Sequence, residues 1–177
     1  MESKQYWNNR YLRGGNSGGG SYGEQLDKKM EYISKLSGVF SISEIGCGDF
    51  NFGKRVTQMF PEATYTGSDV SDVIVRRNTA LYGRHGFTFN TEDVPTADLV
   101  LCVDVLFHVL DDKECEELIN KLEKLWTKYL IVTAYERDEE LNTHVRIRKF
   151  DYKRFGEPIV REVIEEDGSL YFYIFEK

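Results

Sequence analysis

Val39-Phe40-Ser41-Ile42-Ser43-Glu44-Ile45-Gly46-Cys47-Gly48-Asp49 is a short β-rich run that breaks into a glycine turn. Beyond it, Phe52, Val56, Met59 and Phe60 recur at helical spacing until Pro61 stops them. Strand, glycine turn and helix in that order set a helix N-terminus over the end of a strand. Glycines there let a ligand approach the backbone, and the helix start offers free N–H groups. A plain tight connection would use the same residues without a ligand.

The alternation repeats on both sides. Upstream, Ser21 with Glu24 reads as a capping box, and Tyr22, Leu26, Met30, Ile33 and Leu36 predict a helix over 22–36. Downstream, Thr64 to Asp69 is a second strand ending in an acid, and Ser71 caps a helix carrying Val73, Ile74, Arg77 and Leu81. Phe87-Thr88-Phe89 opens a third strand that ends near Glu92-Asp93. The apolar run from Ala97 to Val103 is a buried central strand. Asp111 with Glu114 caps a helix whose apolar face is Cys115, Leu118, Ile119, Leu122, Leu125 and Trp126, and Tyr129 to Ala134 is a fifth strand. Such alternation calls for a parallel sheet with right-handed crossovers and a site beyond the strands' carboxyl ends. The tail differs: Asp167-Gly168 separates two extended stretches, Ile159 to Glu166 and Leu170 to Phe175, and predicts a hairpin.

Bulk properties bound the function. At 177 residues, 41% hydrophobic and 14% aromatic, the chain supports one core. A net charge of −7 argues against a broad duplex nucleic-acid footprint and suits a small or cationic substrate. Cys47, Cys102 and Cys115 show neither a disulfide pattern nor zinc spacing, so reduced thiols in the cytoplasm are expected and no metal. No stretch reads as a signal peptide or a membrane span. Residues 1–21 are polar and then glycine-rich (Gly14-Gly15-Asn16-Ser17-Gly18-Gly19-Gly20). They are expected to be flexible, with 22–177 as the single domain.

The turn's spacing discriminates between ligands. A dinucleotide fingerprint would put a third glycine at position 51, which is Asn51. Glu44, two residues before the first glycine, would repel phosphate and suit a cation. Asp69 is placed to accept ribose hydroxyls, and Asp93, with Val94, to meet a purine amino group and ring. Asp104 and His108 straddle the end of the fourth strand, and His108 has the pKa range of a general base. The bland readings are a helix-start charge for Asp69, a surface acid for Asp93 and a structurally satisfied imidazole for His108. His85 and His144 read as surface residues, and Arg137-Asp138-Glu139-Glu140 as a solvated run.

Glu44-Ile45-Gly46-Cys47-Gly48, Gly67-Ser68-Asp69, Thr91-Glu92-Asp93-Val94 and Leu101-Cys102-Val103-Asp104-Val105-Leu106-Phe107-His108 together resemble the motifs of class I S-adenosylmethionine-dependent methyltransferases. The resemblance spans about 22–177. Position 50, where the family has its third glycine, is Phe50. The string Gly46 to Gly53, with the prefix Tyr6-Trp7, Arg10-Tyr11 and Gly20-Ser21-Tyr22-Gly23, is similar to a subgroup of small methyltransferase-like proteins.

The resemblance implies a Rossmann-like methyltransferase fold: a seven-stranded, mostly parallel sheet with a C-terminal antiparallel hairpin and helices on both faces. It implies S-adenosylmethionine as cofactor, held by Glu44, Gly46, Cys47, Gly48, Asp69, Val70, Asp93, Val94 and Asp104. Asp104 and His108 are then the catalytic positions, residues 1–21 a lid, and the reaction methyl transfer to an acceptor the sequence does not name. A small molecule or side chain is favoured over nucleic acid, because Asp104-Val105-Leu106-Phe107 stands where a base-stacking NPPY-like motif would be. A catalytically idle module of the same fold is the alternative, and Phe50 is what keeps it open.

Overall fold

The computed structural model describes residues 3–142, 144–165 and 169–177. Among them the chain forms α1 (Ser3–Leu12), α2 (Gly23–Ile33), β1 (Ser41–Ile45), α3 (Asn51–Met59), β2 (Thr64–Ser68), α4 (Asp72–Tyr82) and β3 (Thr88–Asn90). It continues through β4 (Ala97–Cys102), α5 (Asp112–Leu125), β5 (Trp126–Tyr135), β6 (Glu139–Asn142), β7 (Val145–Ile147), β8 (Val160–Val163) and β9 (Leu170–Glu176).

Seven strands make one sheet in the order β3-β2-β1-β4-β5-β9-β8, while β6 and β7 pair separately. Contacts from β3 through β5 are parallel, and β9 runs antiparallel to both β5 and β8. The chain therefore has the expected Rossmann-like methyltransferase fold with its antiparallel end. The predicted Asp167-Gly168 turn lies outside the described residues, but the strands it joins pair from Val160 with Ile174 to Val163 with Tyr171.

The central strands are apolar on both faces, which only a sheet covered on both sides tolerates. Leu99, Leu101, Tyr129, Ile131, Phe172 and Ile174 pack on one face with Leu26, Met30 and Ile33 of α2 and Val56 of α3. The alternate residues Val100, Cys102, Leu130, Val132, Tyr173 and Phe175 pack on the other face with Leu122 of α5. That period of two fixes the register, since a one-residue slip would exchange the two cores.

Helix signals held where a side chain had one backbone to cap. Ser71 Oγ accepts from the Ile74 amide, and the Asp111 carboxylate accepts from Lys113 and Glu114. The Ser21 capping box does not form. Ser21 lies in a short 3₁₀ turn, Gly19–Ser21, and its carbonyl accepts from Asn51, so α2 starts after Tyr22 and ends at Ile33 rather than 36. Trp126, read as part of a helix face, is the first residue of β5. Two elements carried no sequence signal: α1, and the β6–β7 pair that follows the run Arg137–Glu140.

Candidate active site

The turn after β1 is left-handed at three positions: Gly46 (φ 71°), Gly48 (φ 49°) and Phe50 (φ 67°). A Cβ at Gly46 would fall 2.4 Å from Val105 Cγ2, and one at Gly48 would fall 2.0 Å from Ser17 Oγ, so both positions need glycine on two counts. Phe50 tolerates the strain because its ring is fully buried among Tyr65, Tyr82, Phe87 and Phe89, at 4.9–5.2 Å between centroids.

Asp69, one residue past β2, ties this turn to the start of α4. Its Oδ2 accepts from the Gly48 amide at 3.0 Å and its Oδ1 from the Ser71 amide at 2.8 Å. Burial raises its pKa to about 6, and the two backbone bonds oppose that rise.

A cavity of about 300 Å³ opens over the carboxyl ends of β1, β2 and β4. Gly46, Gly48, Asp69, Val70, Asp93, Asp104 and His108 line it, together with Trp7, Tyr11 and Ser17 from the N-terminal segment, Glu92, Val105, and Leu118 and Lys121 of α5. Three expected residues are not in the lining. Cys47 is buried with its side chain against Gly67. Val94 is likewise buried. Glu44 is 3% exposed and accepts a hydrogen bond from the Tyr65 hydroxyl. Burial pushes the Glu44 pKa up to about 8, against the hydrogen bond from Tyr65. Glu44 sits behind the turn rather than in the cavity wall, and burial favours its neutral form.

Asp104 follows β4 with φ 58°, a conformation that costs an L-residue roughly 1–2 kcal/mol. Its surroundings hold it there. Lys29 Nζ lies 2.7 Å from Oδ2, Thr133 Oγ1 donates to Oδ1 at 2.9 Å, and the Asp104 amide donates to that same hydroxyl oxygen. Asp93 is also paired, forming an exposed ion pair with Lys121 at the cavity edge.

His108 ends a 3₁₀ turn, Leu106–His108. Its Nδ1 is 3.0 Å from the His144 carbonyl oxygen, which can only accept, so Nδ1 carries the proton and the neutral ring keeps a lone pair on Nε2. Burial pushes the His108 pKa below its ordinary value, against that bond. The Trp7 ring meets His108 edge-on at 5.1 Å. His144, read from sequence as a surface residue, stacks between His108 (5.9 Å) and Tyr6 (4.6 Å).

The N-terminal segment is fastened across the turn. The Ser17 amide donates to Asp49, the Asp49 amide donates to Ser17 Oγ, and the Tyr22 hydroxyl donates to Asp49 at 2.7 Å. Asn8 docks α1 on α4, donating to Asp72 at 2.9 Å and accepting from Ser71 Oγ at 2.6 Å. The aromatic residues Tyr6, Trp7 and Tyr11 and the glycine-rich stretch after them were the sequence signals for this contribution.

A doubly wound sheet with an antiparallel end, a glycine turn and a cavity at the strand tips defines the class of Rossmann-like methyltransferase folds. The sequence signature of the O-methyltransferase domain matches residues 21–135, and the chain belongs to that family. No curated protein matches the chain by sequence. Among solved structures it is similar to magnesium protoporphyrin IX methyltransferase (ChlM) from Synechocystis PCC 6803 with bound SAM. The identity is 17% and the TM-score 0.72, over 100% of this chain and 98% of that one. N-methyltransferase NodS from Bradyrhizobium japonicum WM9, in complex with S-adenosyl-L-homocysteine, is 15% identical with a TM-score of 0.71, over 100% of this chain and 99% of that one. An O-methyltransferase family protein from Burkholderia thailandensis is 15% identical with a TM-score of 0.64, and there 86% of this chain covers 56% of the other.

Proposed function

We propose that the chain is an S-adenosylmethionine-dependent methyltransferase acting on a small molecule or a side chain. The observation that carries this reading is the composition of the cavity. Asp69, Glu92, Asp93 and Asp104 face it against one lysine, itself paired with Asp93, and Val70, Val105 and Leu118 supply apolar wall. That lining fits a cationic nucleoside: carboxylates for its hydroxyl and ammonium donors, apolar surface for its purine, and no cluster of bases for a pyrophosphate.

Bound there, S-adenosylmethionine supplies an electrophilic methyl group on a sulfonium. Asp69 takes the ribose hydroxyls, Gly46 and Gly48 keep the backbone close, and Asp93 lies at the purine edge. Val94 supports that edge from within the core, and Glu44 and Cys47 shape the turn from beneath. Asp104 presents a fixed negative charge. His108, neutral and with Nε2 unprotonated, accepts the proton an O–H or N–H acceptor must lose. The remaining barrier falls through alignment and exclusion of water. Residues 1–21 act as a lid over the domain 22–177, with Trp7 and Tyr11 shielding the cavity. The buried, unpaired thiols of Cys47, Cys102 and Cys115 suit a cytoplasmic protein.

Calorimetry with S-adenosylhomocysteine and with NAD, followed by an acceptor panel scored for S-adenosylhomocysteine release, tests the proposal. Binding of the first ligand alone, with turnover, is the expected result. No binding overturns it, and binding without turnover across the panel assigns the idle module instead.

A further inference from the structure

Lys29 is fully buried on α2, a helix that contributes nothing to the cavity lining. A lysine is almost never buried unless its charge is used. Its ammonium donates to Asp104 Oδ2 at 2.7 Å and to the Gly20 carbonyl at 2.9 Å, and lies 5.9 Å from the centre of the Phe52 ring. On the far side, Thr133 of β5, equally buried, bonds both the Asp104 carboxylate and its amide. Asp104, held between them in a left-handed conformation, is the one member of the group that lines the cavity.

Gly20 is shaped to the same purpose. A Cβ there would fall 2.0 Å from Asp104 Oδ2 and 3.2 Å from Lys29 Nζ, so only a glycine lets the segment reach the ion pair. The pair therefore meets the covering segment, the core helix and the cavity floor at one point.

We propose that Lys29 and Thr133 are positioning residues that clamp the Asp104 carboxylate toward the ligand, and that Lys29 also ties the segment through Gly20 to this clamp. The inference rests on the cofactor reading given above. Backbone strain at a residue facing a cavity persists where its surroundings over-determine it, and here two buried side chains do so. Neither touches the cavity, so both act through Asp104.

The test is a double-mutant cycle read by S-adenosylhomocysteine titration of the full chain. Lys29→Met and Asp104→Asn should each weaken binding by at least about tenfold, and the double variant should bind within about twofold of Asp104→Asn. Gly20→Ala, which drives a methyl group into the pair, should weaken binding in the parent. Should Lys29→Met not fold, Thr133→Val against Thr133→Ser carries the same comparison, with serine restoring affinity. Additive losses, or a valine variant as tight as the serine one, overturn the positioning role and leave the cofactor reading standing. A parent that binds neither S-adenosylmethionine nor its demethylated product overturns both.

Discussion

Ser17 and Asp49 are hydrogen-bonded to each other twice: the Ser17 amide donates to Asp49 Oδ2 at 3.0 Å, and the Asp49 amide donates to Ser17 Oγ at 2.8 Å. A residue of the glycine-rich segment is thus locked to the turn that follows β1, thirty-two positions away. Tyr22 adds a third bond to the same carboxylate. Asp49→Ala removes all its side chain's bonds, at a cost of about 1–3 kcal/mol. Hydrogen exchange at residues 17–22 should then rise while the amides of β4 and β5 keep their protection.

Asp69 should be the most ligand-sensitive of the acids, because it lines the cavity and already organises Gly48 and Ser71. Asp69→Asn is expected to weaken S-adenosylhomocysteine by at least about tenfold, or about 1.4 kcal/mol, in calorimetry. With the parent group titrating near 6, affinity should climb from pH 5 to pH 7 as the carboxylate ionises. That climb should be absent in the asparagine variant.

Glu44 makes stability depend on pH with a definite sign. Its pKa is raised in the folded chain to about 8, so the stabilisation it brings is complete below its unfolded value and fades as pH rises toward 8. Across that window the share falls steadily as pH rises, because the unfolded carboxyl has given up its proton while the folded one still holds it. Glu44→Gln, which can still accept from Tyr65, removes the dependence. Urea midpoints of the two proteins should converge, then cross, as pH increases, and parallel lines would refute the burial argument.

For His108, the titration midpoint of its ring protons in NMR should lie below 6.5, since burial disfavours the imidazolium. His108→Gln should leave S-adenosylhomocysteine affinity within about threefold of the parent and lower turnover with any accepted substrate by about 10²–10⁴. Loss of affinity without loss of turnover would remove His108 from proton transfer.

The parts of this site that were legible in the sequence are those made by neighbours along the chain. The strand and glycine turn around Gly46 and Gly48 announce themselves in eleven letters, the helical period follows at once, and Ser71 and Asp111 cap two later helices. Asp104 follows a strand whose apolar run is plain, and Asp69 comes directly after the short β-rich stretch Thr64–Ser68. What the sequence hid is pairing over distance. Lys29 reads as one more polar position on an amphipathic helix, and its partner Asp104 lies seventy-five residues on. Glu44 looks like a free acid before a turn because Tyr65 brings its hydroxyl from the adjacent strand. Asp93 looks unpaired until Lys121 arrives on α5. Side chains alternate visibly along a strand, but the charge that meets another charge across a fold leaves no local period.

Phe50 belongs to two structures at once. Its backbone forms the left-handed corner that leads from the ligand turn into α3, and its ring is the hub on which Tyr65, Tyr82, Phe87 and Phe89 converge. Anyone re-engineering that aromatic hub for thermostability would therefore be editing the glycine turn beside the cavity as well. Packing of the aromatic cluster and the shape of the turn share a hinge pin here, and a change to one is felt by the other.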